Sequence, residues 1–333
     1  MLPLDRFEVK FVIVHRNLGT IVDFIPEEYE IIHIPIHNIW CLATLRIYKI
    51  IKKEKPQVVF CSLMYINYRL AVVAKITGVK CIVRNNIGLS CVKPLDFLLI
   101  KQLYPFVDVV IAQQDEMRNE ILEKIIISPS KVVVLQNPVD TKLIDVKAGF
   151  QSPYREGKFI KYVCVARFST EKGQDLLVKA FAKVKKRRSD AELFFVGNYC
   201  MDREYDAMVM KLVCMYNLQG SVHFVGFDSN PYKWMKNATV YVMPSRLEGL
   251  PNSLIDAMYL GLPAVATRCV PVIDRIVEDG YNGYVVPADD EYALADAMIK
   301  VLNLKDFMMT YKPATKEDFV KLFEQGYNVA SFL

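Results

Sequence analysis

The sequence lacks several features that define common protein classes. No apolar run reaches the roughly 18 residues of a membrane-spanning helix, and the first residues show no signal-peptide pattern. No block of basic residues alternates with aromatic residues, which argues against nucleic acid as a partner. Low-complexity tracts and internal repeats are also missing. We therefore expect a cytoplasmic globular protein that binds neither DNA nor RNA.

Cysteine and histidine show no arrangement typical of a metal site or of catalysis. The eight cysteines are scattered, without the paired spacings of metal ligands, and we interpret them as small buried thiols in a reducing compartment. His15, His33, His37 and His223 match no catalytic pattern, and packing roles are the better interpretation for all four. The sequence thus predicts no metal and no cofactor.

The length favours a two-domain protein, and the net charge is distributed unequally between the two halves of the chain. The 333 residues suit two domains of roughly 150 residues each. The 53% apolar content and the mean hydropathy of +0.18 suit parallel strands buried on both faces. Residues 1–155 carry 20 Lys and Arg against 15 Asp and Glu, and therefore the whole net charge of +5. A basic first half suits an anionic membrane surface or a diphosphate-bearing acceptor, and a merely solubilising excess of charge explains it equally well.

Apolar runs alternate with amphipathic segments along the chain, which predicts doubly wound parallel sheets. In the first half the predicted strands are 9–14, 29–34, 57–61, 80–84, 108–112 and 131–135, and the predicted helices are 39–53, 67–77, 94–104 and 115–124. A polar break with glycine and proline at 148–158 has the composition of a linker. After it, the predicted strands lie near 160–166, 192–196, 222–225, 239–243 and 263–266, and the helices near 174–187, 203–217, 230–236, 252–260 and 291–303. We assign 1–150 and 159–310 to two domains, followed by 311–333, whose last helix near 315–325 could pack back on the first domain.

One stretch behind a predicted apolar strand combines turn formers, two carboxylates and a helix start. In Ser245–Met258, Gly249 permits close approach of the backbone to a ligand, and Pro251 stiffens the entry into the helix. First-turn N–H groups have no partner inside the helix and therefore bind anions. Glu248 and Asp256 flank these groups and can accept hydrogen bonds from sugar and ribose hydroxyls. Taken singly, Glu248 is also explained as a solvated loop acid and Asp256 by the helix dipole.

This stretch, with Gly261–Thr267 and Val277–Val286, resembles the family-4 glycosyltransferases of the two-Rossmann-domain (GT-B) type. Their pattern is S-x-x-E-G-x-P-N-x-x-x-E-A-M-x-x-G-x-P-V-V-A-T, and the departure that matters is Asp256, which replaces the second Glu and is one methylene shorter. The resemblance implies an α/β fold of two Rossmann-like domains that face each other across a cleft. It also implies that Glu248 holds the donor sugar and Asp256 the ribose. The distal phosphate would lie against the backbone of Gly249, Leu250, Pro251, Asn252 and Ser253.

A second element places two cations behind a predicted strand. In Val163–Gly173, Arg167 and Lys172 stand five residues apart between a strand end and a helix start. Fixed cations stabilise the charge that builds on a leaving diphosphate during sugar transfer, without a metal. The stretch is similar to the family's G-R-x-x-x-x-K-G element, whose Arg and Lys hold the donor diphosphate, and Ala166 stands for its first glycine. Simple surface exposure is the other explanation for these two side chains.

The resemblance places two further predicted strands along the nucleotide. These strands are followed by Gly197, Gly226 and Phe227. In the family the backbone after the second of these strands binds the base, while structural glycine turns explain the same residues equally well. Glycosyltransferases of the other common nucleotide-sugar fold bind a metal through Asp-x-Asp. The nearest run here, Asp-Ser-Asn at 228–230, lacks the second acid, which favours metal-independent transfer.

The first domain departs further from the family. Many relatives carry histidines behind two of its strands, whereas this chain has none there, and Asn85 and Asn86 are the remaining candidates for hydrogen bonds to an acceptor or donor hydroxyl. The family also opens with a strand, a glycine loop and a helix before the segment that resembles 9–14. In a doubly wound sheet that first strand is central, so we expect a gap flanked by unpaired edges, in a chain that is truncated at its start or degenerate.

The resemblance implies a retaining, metal-independent glycosyltransferase that moves a sugar from a nucleotide diphosphate, UDP before GDP-mannose, to a hydroxyl. The implied acceptor is a growing capsule or O-antigen glycan on polyprenyl diphosphate, bound where the basic first domain meets the cytoplasmic face of the membrane. A truncated, non-catalytic nucleotide-binding remnant is the alternative. A nucleotide-sugar epimerase on the same fold expects acid–base carboxylates and histidines that the sequence does not provide.

Overall fold

The computed structural model describes residues 2, 4–15, 25–35, 40–198, 203–304 and 308–324, so that His37 lies outside the described residues. The strands are β1 (Lys10–His15), β2 (Glu30–Pro35), β3 (Val58–Cys61), β4 (Lys80–Arg84), β5 (Val109–Ala112), β6 (Val132–Val134), β7 (Ile160–Val165), β8 (Ala191–Val196), β9 (Val222–Gly226), β10 (Val240–Met243), β11 (Ala264–Thr267) and β12 (Gly283–Val286). The helices are α1 (Trp40–Glu54), α2 (Met64–Thr77), α3 (Pro94–Leu103), α4 (Asp115–Lys124), α5 (Thr141–Ala148), α6 (Gln174–Arg187), α7 (Arg203–Met215), α8 (Tyr232–Lys236), α9 (Asn252–Tyr259), α10 (Ile273–Ile276), α11 (Glu291–Lys300) and α12 (Lys316–Glu324). The alternation confirms the predicted α/β class.

The chain forms two compact units. One contains Met1–Pro138 and Ala314–Leu333, and the other contains Val139–Pro313. The sequence analysis placed the first boundary at 150, but α5 belongs to the second unit because Ile144 and Ala148 are buried in its hydrophobic core. Helix α12 belongs to the first unit, where Leu322 is buried in a cluster with side chains of β4, β5 and β6.

The second unit is built on a six-stranded parallel sheet in the order β12-β11-β10-β7-β8-β9. Every residue of β8, β10 and β11 is buried, as expected for parallel strands that helices cover on both faces. Helices α6, α7 and α11 contribute to the core on one face. Helices α5, α9 and α10 contribute to the core on the other. The sequence analysis missed β12, α5 and α10, because these elements are short and show too few periods of their apolar pattern.

The first unit contains two separate parallel sheets among its described residues. Strands β1 and β2 form one, and β3, β4, β5 and β6 form the other in that order. Strands β1 and β3 are therefore edge strands, and Val12 and Phe60 on them are 43% and 41% exposed. Every open sheet has edge strands, so the gap that the sequence analysis expected in this domain stays a prediction. Among the described residues, no helix combines the length and the apolar character needed to span a bilayer.

The interpretation of the cysteines as buried thiols is only partly right. Cys81 and Cys164 are buried, but Cys91 and Cys214 are exposed, because one ends a surface 3-10 turn and the other lies on the outer face of α7.

The packing role of His223 agrees with its surroundings, since its ring stacks on Phe194 with the ring centroids 4.5 Å apart.

Candidate functional site

The sheet of the second unit reverses its strand order between β7 and β10. From β7 the chain continues to β8 and β9 on one side of the sheet, and β10, β11 and β12 then lie on the other side. Ligands of open parallel sheets bind outside the carboxyl ends of the strands at such a switch point. The loop 166–173 leaves β7 there and the loop 244–251 leaves β10. These loops carry the predicted residues Arg167, Lys172 and Glu248.

Lys172 and Glu248 meet at this switch point. Lys172 Nζ donates to Glu248 Oε1 at 2.7 Å, and Ser245 Oγ donates to the same oxygen at 2.7 Å. The side chains of Lys172 and Glu248 are only 22% and 10% exposed, so little water competes with their attraction. A cation and a carboxylate held side by side suit a ligand that has both an anionic group and hydroxyls.

Arg246, which the sequence analysis missed, ties the two loops together. Its backbone N–H donates to the carbonyl oxygen of Glu171 at 2.7 Å. Its guanidinium donates to both carboxylate oxygens of Asp175, at 2.8 Å each, and its Nε donates to Asp289 at 2.6 Å. The bidentate geometry fixes the distance between the loops and therefore the position of Lys172 relative to its partner. An Arg in the loop and an Asp in the first turn of α6 were visible in the sequence, but their pairing was not.

Two glycines allow the backbone segments of the site to approach closely. Gly173 has a φ of +67°, and a Cβ there would lie 2.1 Å from the carbonyl oxygen of Pro244 in the other loop. Gly197 has a φ of +154°, and a Cβ there would lie 2.0 Å from the carbonyl oxygen of Ala166. Gly226 also has a positive φ of +82°, and its carbonyl accepts the N–H of Gly197 at 2.8 Å. All three glycines are thus required by the backbone itself, whatever else they contact.

The start of α9 brings Ser253 next to a buried phenol. Tyr241 Oη donates to Ser253 Oγ at 2.7 Å, and Tyr241 is only 1% exposed. Burial raises the pKa of the Tyr241 phenol well above its usual value, so the phenol keeps its proton and acts as the donor. The hydroxyl hydrogen of Ser253 is then directed elsewhere, and Ser253 can donate it to an anion at the helix N-terminus.

Asp256 is the fifth residue of α9, beyond the first turn. The helix dipole acts within the first turn, so it does not explain the carboxyl there. Burial raises the pKa of Asp256 to about 7, and the described residues place no hydrogen-bond donor on its carboxyl oxygens. The site therefore contains a half-buried acid that is close to its titration point at neutral pH.

The other site residues that the sequence analysis predicted in the second unit differ in their exposure and in their contacts. Arg167 is exposed, its carbonyl accepts from Gln174 Nε2 at 2.9 Å, and its guanidinium lies near Glu171. No contact between that guanidinium and the Lys172–Glu248 pair is found in the described part of the chain. Gly249, Leu250 and Pro251 are buried, whereas Asn252 and Phe227 are exposed.

The two asparagines predicted on the acceptor side differ in their surroundings. Asn85 is completely buried, and its Oδ1 accepts from Tyr104 Oη at 2.6 Å, inside the core of the first unit. Its side chain is therefore a packing group, which disagrees with a role at an exposed acceptor site. Asn86 is exposed, and its Nδ2 donates to the carbonyl oxygen of Ser62.

The acidic turn at 228–230 is a structural feature. Asp228 accepts from the N–H of Asn230 at 2.8 Å, from Trp234 Nε1 at 2.9 Å and from Lys233 Nζ at 2.8 Å. These bonds fix the turn before α8. Across the described ranges, no group of three or more His, Cys, Asp or Glu side chains is placed to hold a metal ion.

Two α/β units of parallel strands are the architecture of the GT-B fold, and solved structures share this fold. The structure of Anabaena HepE in complex with UDP-glucose is similar to this chain with a TM-score of 0.73 and 14% identity, over 96% of this chain and 88% of that one. A glycosyltransferase from Rickettsia africae is similar with a TM-score of 0.69 and 18% identity, over 96% and 85% of the two chains.

The chain belongs to the glycosyl transferases group 1 family, whose model matches residues 147–318, just over half of the chain. The model of Glycosyltransferase Family 4 matches residues 14–143. These matches confirm the resemblance that the loop 244–251 and its surroundings indicated.

Curated relatives resemble the chain at moderate identity. The N-acetylgalactosamine-N,N'-diacetylbacillosaminyl-diphospho-undecaprenol 4-alpha-N-acetylgalactosaminyltransferase of Campylobacter jejuni is 28% identical over 66% of this chain and 57% of its own length. The UDP-Gal:alpha-D-GlcNAc-diphosphoundecaprenol alpha-1,3-galactosyltransferase of Escherichia coli is 19% identical over 92% of this chain and 82% of its own length. An uncharacterized glycosyltransferase of Methanocaldococcus jannaschii is 25% identical over 64% of this chain. The chain spans 60% of the length of this last relative.

Proposed function

We propose that the protein is a retaining, metal-independent glycosyltransferase that moves a sugar from a UDP-sugar to a hydroxyl of a lipid-linked or surface polysaccharide. The observation that carries the proposal is the Lys172–Glu248 pair at the switch point, 2.7 Å apart and next to the start of α9. The structure of HepE with UDP-glucose and the UDP-Gal donor of the Escherichia coli relative favour UDP over GDP.

Each group has a part in the proposed reaction. Glu248 holds the donor sugar, Asp256 the ribose, and the backbone from Gly249 to Ser253 the distal phosphate. The acceptor hydroxyl oxygen bonds to the anomeric carbon while the bond from that carbon to the phosphate oxygen breaks, and the proton of the hydroxyl passes to that phosphate oxygen. Negative charge then grows on the leaving diphosphate, where Lys172 and Arg167 stabilise it without a metal ion.

The acceptor is proposed from the names of the relatives and from charge. Two of these relatives act on sugars attached to diphospho-undecaprenol. A basic first half would bring such an acceptor to the site from the cytoplasmic surface of an anionic membrane. The alternative is a non-catalytic remnant that retains the nucleotide site.

Thermal unfolding with UDP and with GDP tests the donor site. At a hundredfold excess over Kd, UDP adds about 2.7 kcal/mol to the free energy of unfolding. We expect the Tm to rise by roughly 5–10 °C with UDP and to stay unchanged with GDP. Lys172→Ala should abolish the shift and Lys186→Ala, on the exposed end of α6, should keep it. A response to neither nucleotide would contradict the proposal, and a UDP response without transfer to any polyprenyl-diphosphate sugar would favour the remnant.

A second experiment tests the hydroxyl of Ser253 as a phosphate donor. Tyr241→Phe removes the phenol that orients this hydroxyl, and we expect UDP affinity to fall about three- to tenfold. Tyr162→Phe is the matched control, because Tyr162 is equally buried and its Oη donates at 2.7 Å to the carbonyl oxygen of Met298, on α11. Both variants should lose about 1 kcal/mol of stability. Equal UDP affinity in the two variants, measured by calorimetry, would show that Tyr241 does not position Ser253 for binding.

A further inference from the structure

Both donors that hold the carboxylate of Glu248 contact the same oxygen. Lys172 Nζ and Ser245 Oγ each donate to Oε1 at 2.7 Å. An ionised carboxylate has about four lone-pair sites, two on each oxygen, so these two donors fill Oε1. No donor reaches Oε2 in the part of the chain that the structure describes. The two oxygens are therefore divided, and Oε2 is the one that can accept hydrogen bonds from a ligand.

Lys172 can keep its contact with Glu248 while it binds a diphosphate. An ammonium group has three N–H donors, and Glu248 uses one of them. The other two can donate to phosphate oxygens. The ion pair therefore need not open when a donor binds, and the carboxylate can keep its position in the bound state.

Helix capping does not explain the bond from Ser245 to Glu248. The order Ser-x-x-Glu is that of a capping box, in which the serine bonds to the backbone of the first helical turn. Helix α9 begins only at Asn252, and residues 246–249 are not helical. Ser245 is 1% exposed and donates its single hydroxyl hydrogen to the carboxylate instead. The effect of this hydroxyl is thus on the orientation of Glu248.

Thr267 in turn fixes Ser245 from the neighbouring strand. Thr267 is the last residue of β11 and is completely buried, and its Oγ1 donates to the carbonyl oxygen of Ser245. Strands β10 and β11 pair in parallel with Met243 opposite Ala266, so Thr267 lies beside the chain where it leaves β10. A β-branched side chain in a packed strand has few rotamers. The loop that carries Ser245 is therefore tied to the sheet itself.

We propose that Ser245 and Thr267 are positioning residues of the donor site, which orient the Glu248 carboxylate so that Oε2 accepts a hydroxyl of the donor sugar. The inference deepens the proposed function and rests on it, because it takes Glu248 as the residue that contacts the sugar. A carboxylate that is oriented before the donor arrives loses less conformational freedom on binding. Loss of either hydroxyl should therefore weaken the contact with the sugar and leave binding of UDP itself nearly unchanged.

Calorimetry with UDP and with UDP-sugars tests this difference. The probes are UDP-glucose, UDP-galactose and UDP-N-acetylgalactosamine, and the probe that the unaltered chain binds most tightly is used for the variants. We expect Ser245→Ala to lower its affinity about tenfold, the typical effect of losing a hydrogen bond to a charged group. Thr267→Val acts one step further away and should lower it roughly three- to fivefold. Affinity for UDP should change by less than about twofold in both variants.

Two comparisons separate positioning from a general loss of structure. Thr267→Ser keeps the hydroxyl and should restore most of the affinity that Thr267→Val loses. Glu248→Ala removes the carboxylate on which Ser245 acts, so Ser245→Ala should have no further effect on UDP-sugar affinity in that background. A further loss of about tenfold in the double variant would show that Ser245 acts through another group.

Matched controls lie at the amino ends of the strands, away from the site. Ser221→Ala, next to the start of β9, removes the hydroxyl of a serine that is only 9% exposed. Thr239→Val, next to the start of β10, removes a hydroxyl that accepts the N–H of Lys161 at 3.0 Å. Both controls should keep the affinities for UDP and for the UDP-sugar, even where they lower the Tm.

The possible failures of the inference and of the proposed function give different results. Equal losses of UDP and UDP-sugar affinity in Ser245→Ala, or no loss of either, would overturn the positioning role and leave the proposed function standing. A chain that binds UDP and none of the three UDP-sugars would overturn the assignment of Oε2 to a sugar hydroxyl. A folded chain that binds neither UDP nor any UDP-sugar would refute the proposed function, and the inference with it.

Discussion

Replacement of Lys172 by methionine is expected to lower kcat/KM for sugar transfer by about 10²- to 10³-fold, the typical effect of removing one fixed group that stabilises developing charge. Methionine keeps an unbranched apolar side chain and removes the ammonium that we assign to the diphosphate. Release of UDP, followed at a series of UDP-sugar concentrations, measures the effect. Lys186→Met, on the exposed end of α6, is the control and should keep the rate of the unaltered chain.

The contact with Glu248 offers a second explanation, and a double variant separates the two. Lys172→Met alone leaves the Glu248 carboxylate, 10% exposed, without its cation, which costs about 3 kcal/mol of stability. Lys172→Met/Glu248→Gln has no uncompensated charge and should regain most of that stability. We expect UDP affinity to stay low in both variants. Recovery of UDP affinity in the double variant would mean that Lys172 serves only as the counterion of Glu248.

Asp256→Asn is expected to stabilise the protein at pH 8 and to leave it unchanged near pH 4. Burial holds the pKa of Asp256 at about 7 in the folded protein, against the ordinary 3.8. Between these values the folded state keeps a proton that the unfolded state has released, so the free energy of unfolding falls as pH rises. A difference of about three pKa units between the folded and unfolded states corresponds to about 4 kcal/mol. We therefore expect Asp256→Asn to raise the free energy of unfolding by about 2–4 kcal/mol at pH 8. Urea unfolding at several pH values measures it.

The same carboxyl gives UDP binding a pH dependence. A ribose whose hydroxyls donate to Asp256 favours the ionised form, so binding should release a proton and tighten as pH rises through 7. Asp256→Asn should remove this dependence. Asp296→Asn, in an exposed ion pair with Arg187, is the control and should change stability by less than about 0.5 kcal/mol. A pH profile of unfolding that is the same for Asp256→Asn and the unaltered chain would show that this acid is not held protonated.

Local sequence patterns were sufficient for most strands and helices of the second unit and for the position of its candidate site. The apolar runs at β7 and β10 are buried parallel strands, and their carboxyl ends lie at one edge of the sheet by geometry alone. The residues that follow these strands must therefore meet there, and Lys172 and Glu248 do. The loop between them was recognisable because its glycine, proline and carboxylates occur in a fixed order along the chain.

Contacts between segments that are distant in the chain could not be predicted from the sequence. The bidentate bond from Arg246 to Asp175 joins residues 71 positions apart, and Tyr241 reaches Ser253 only because β10 and α9 pack together. The burial that raises the pKa of Asp256 is a property of the packed unit, as is the completely buried position of Asn85. Helix α5 belongs to the second unit because its apolar face packs in that core. The eight residues of the helix do not by themselves indicate which unit it joins.

The sequence by itself determined the α/β class, the family and the two loops that carry the site, because strand periodicity and loop chemistry are local properties. Only the tertiary structure decided which groups of those loops touch, which acid is buried and where the units divide. Each of these depends on the exclusion of water and on close packing between segments far apart in the chain, and no local pattern encodes that.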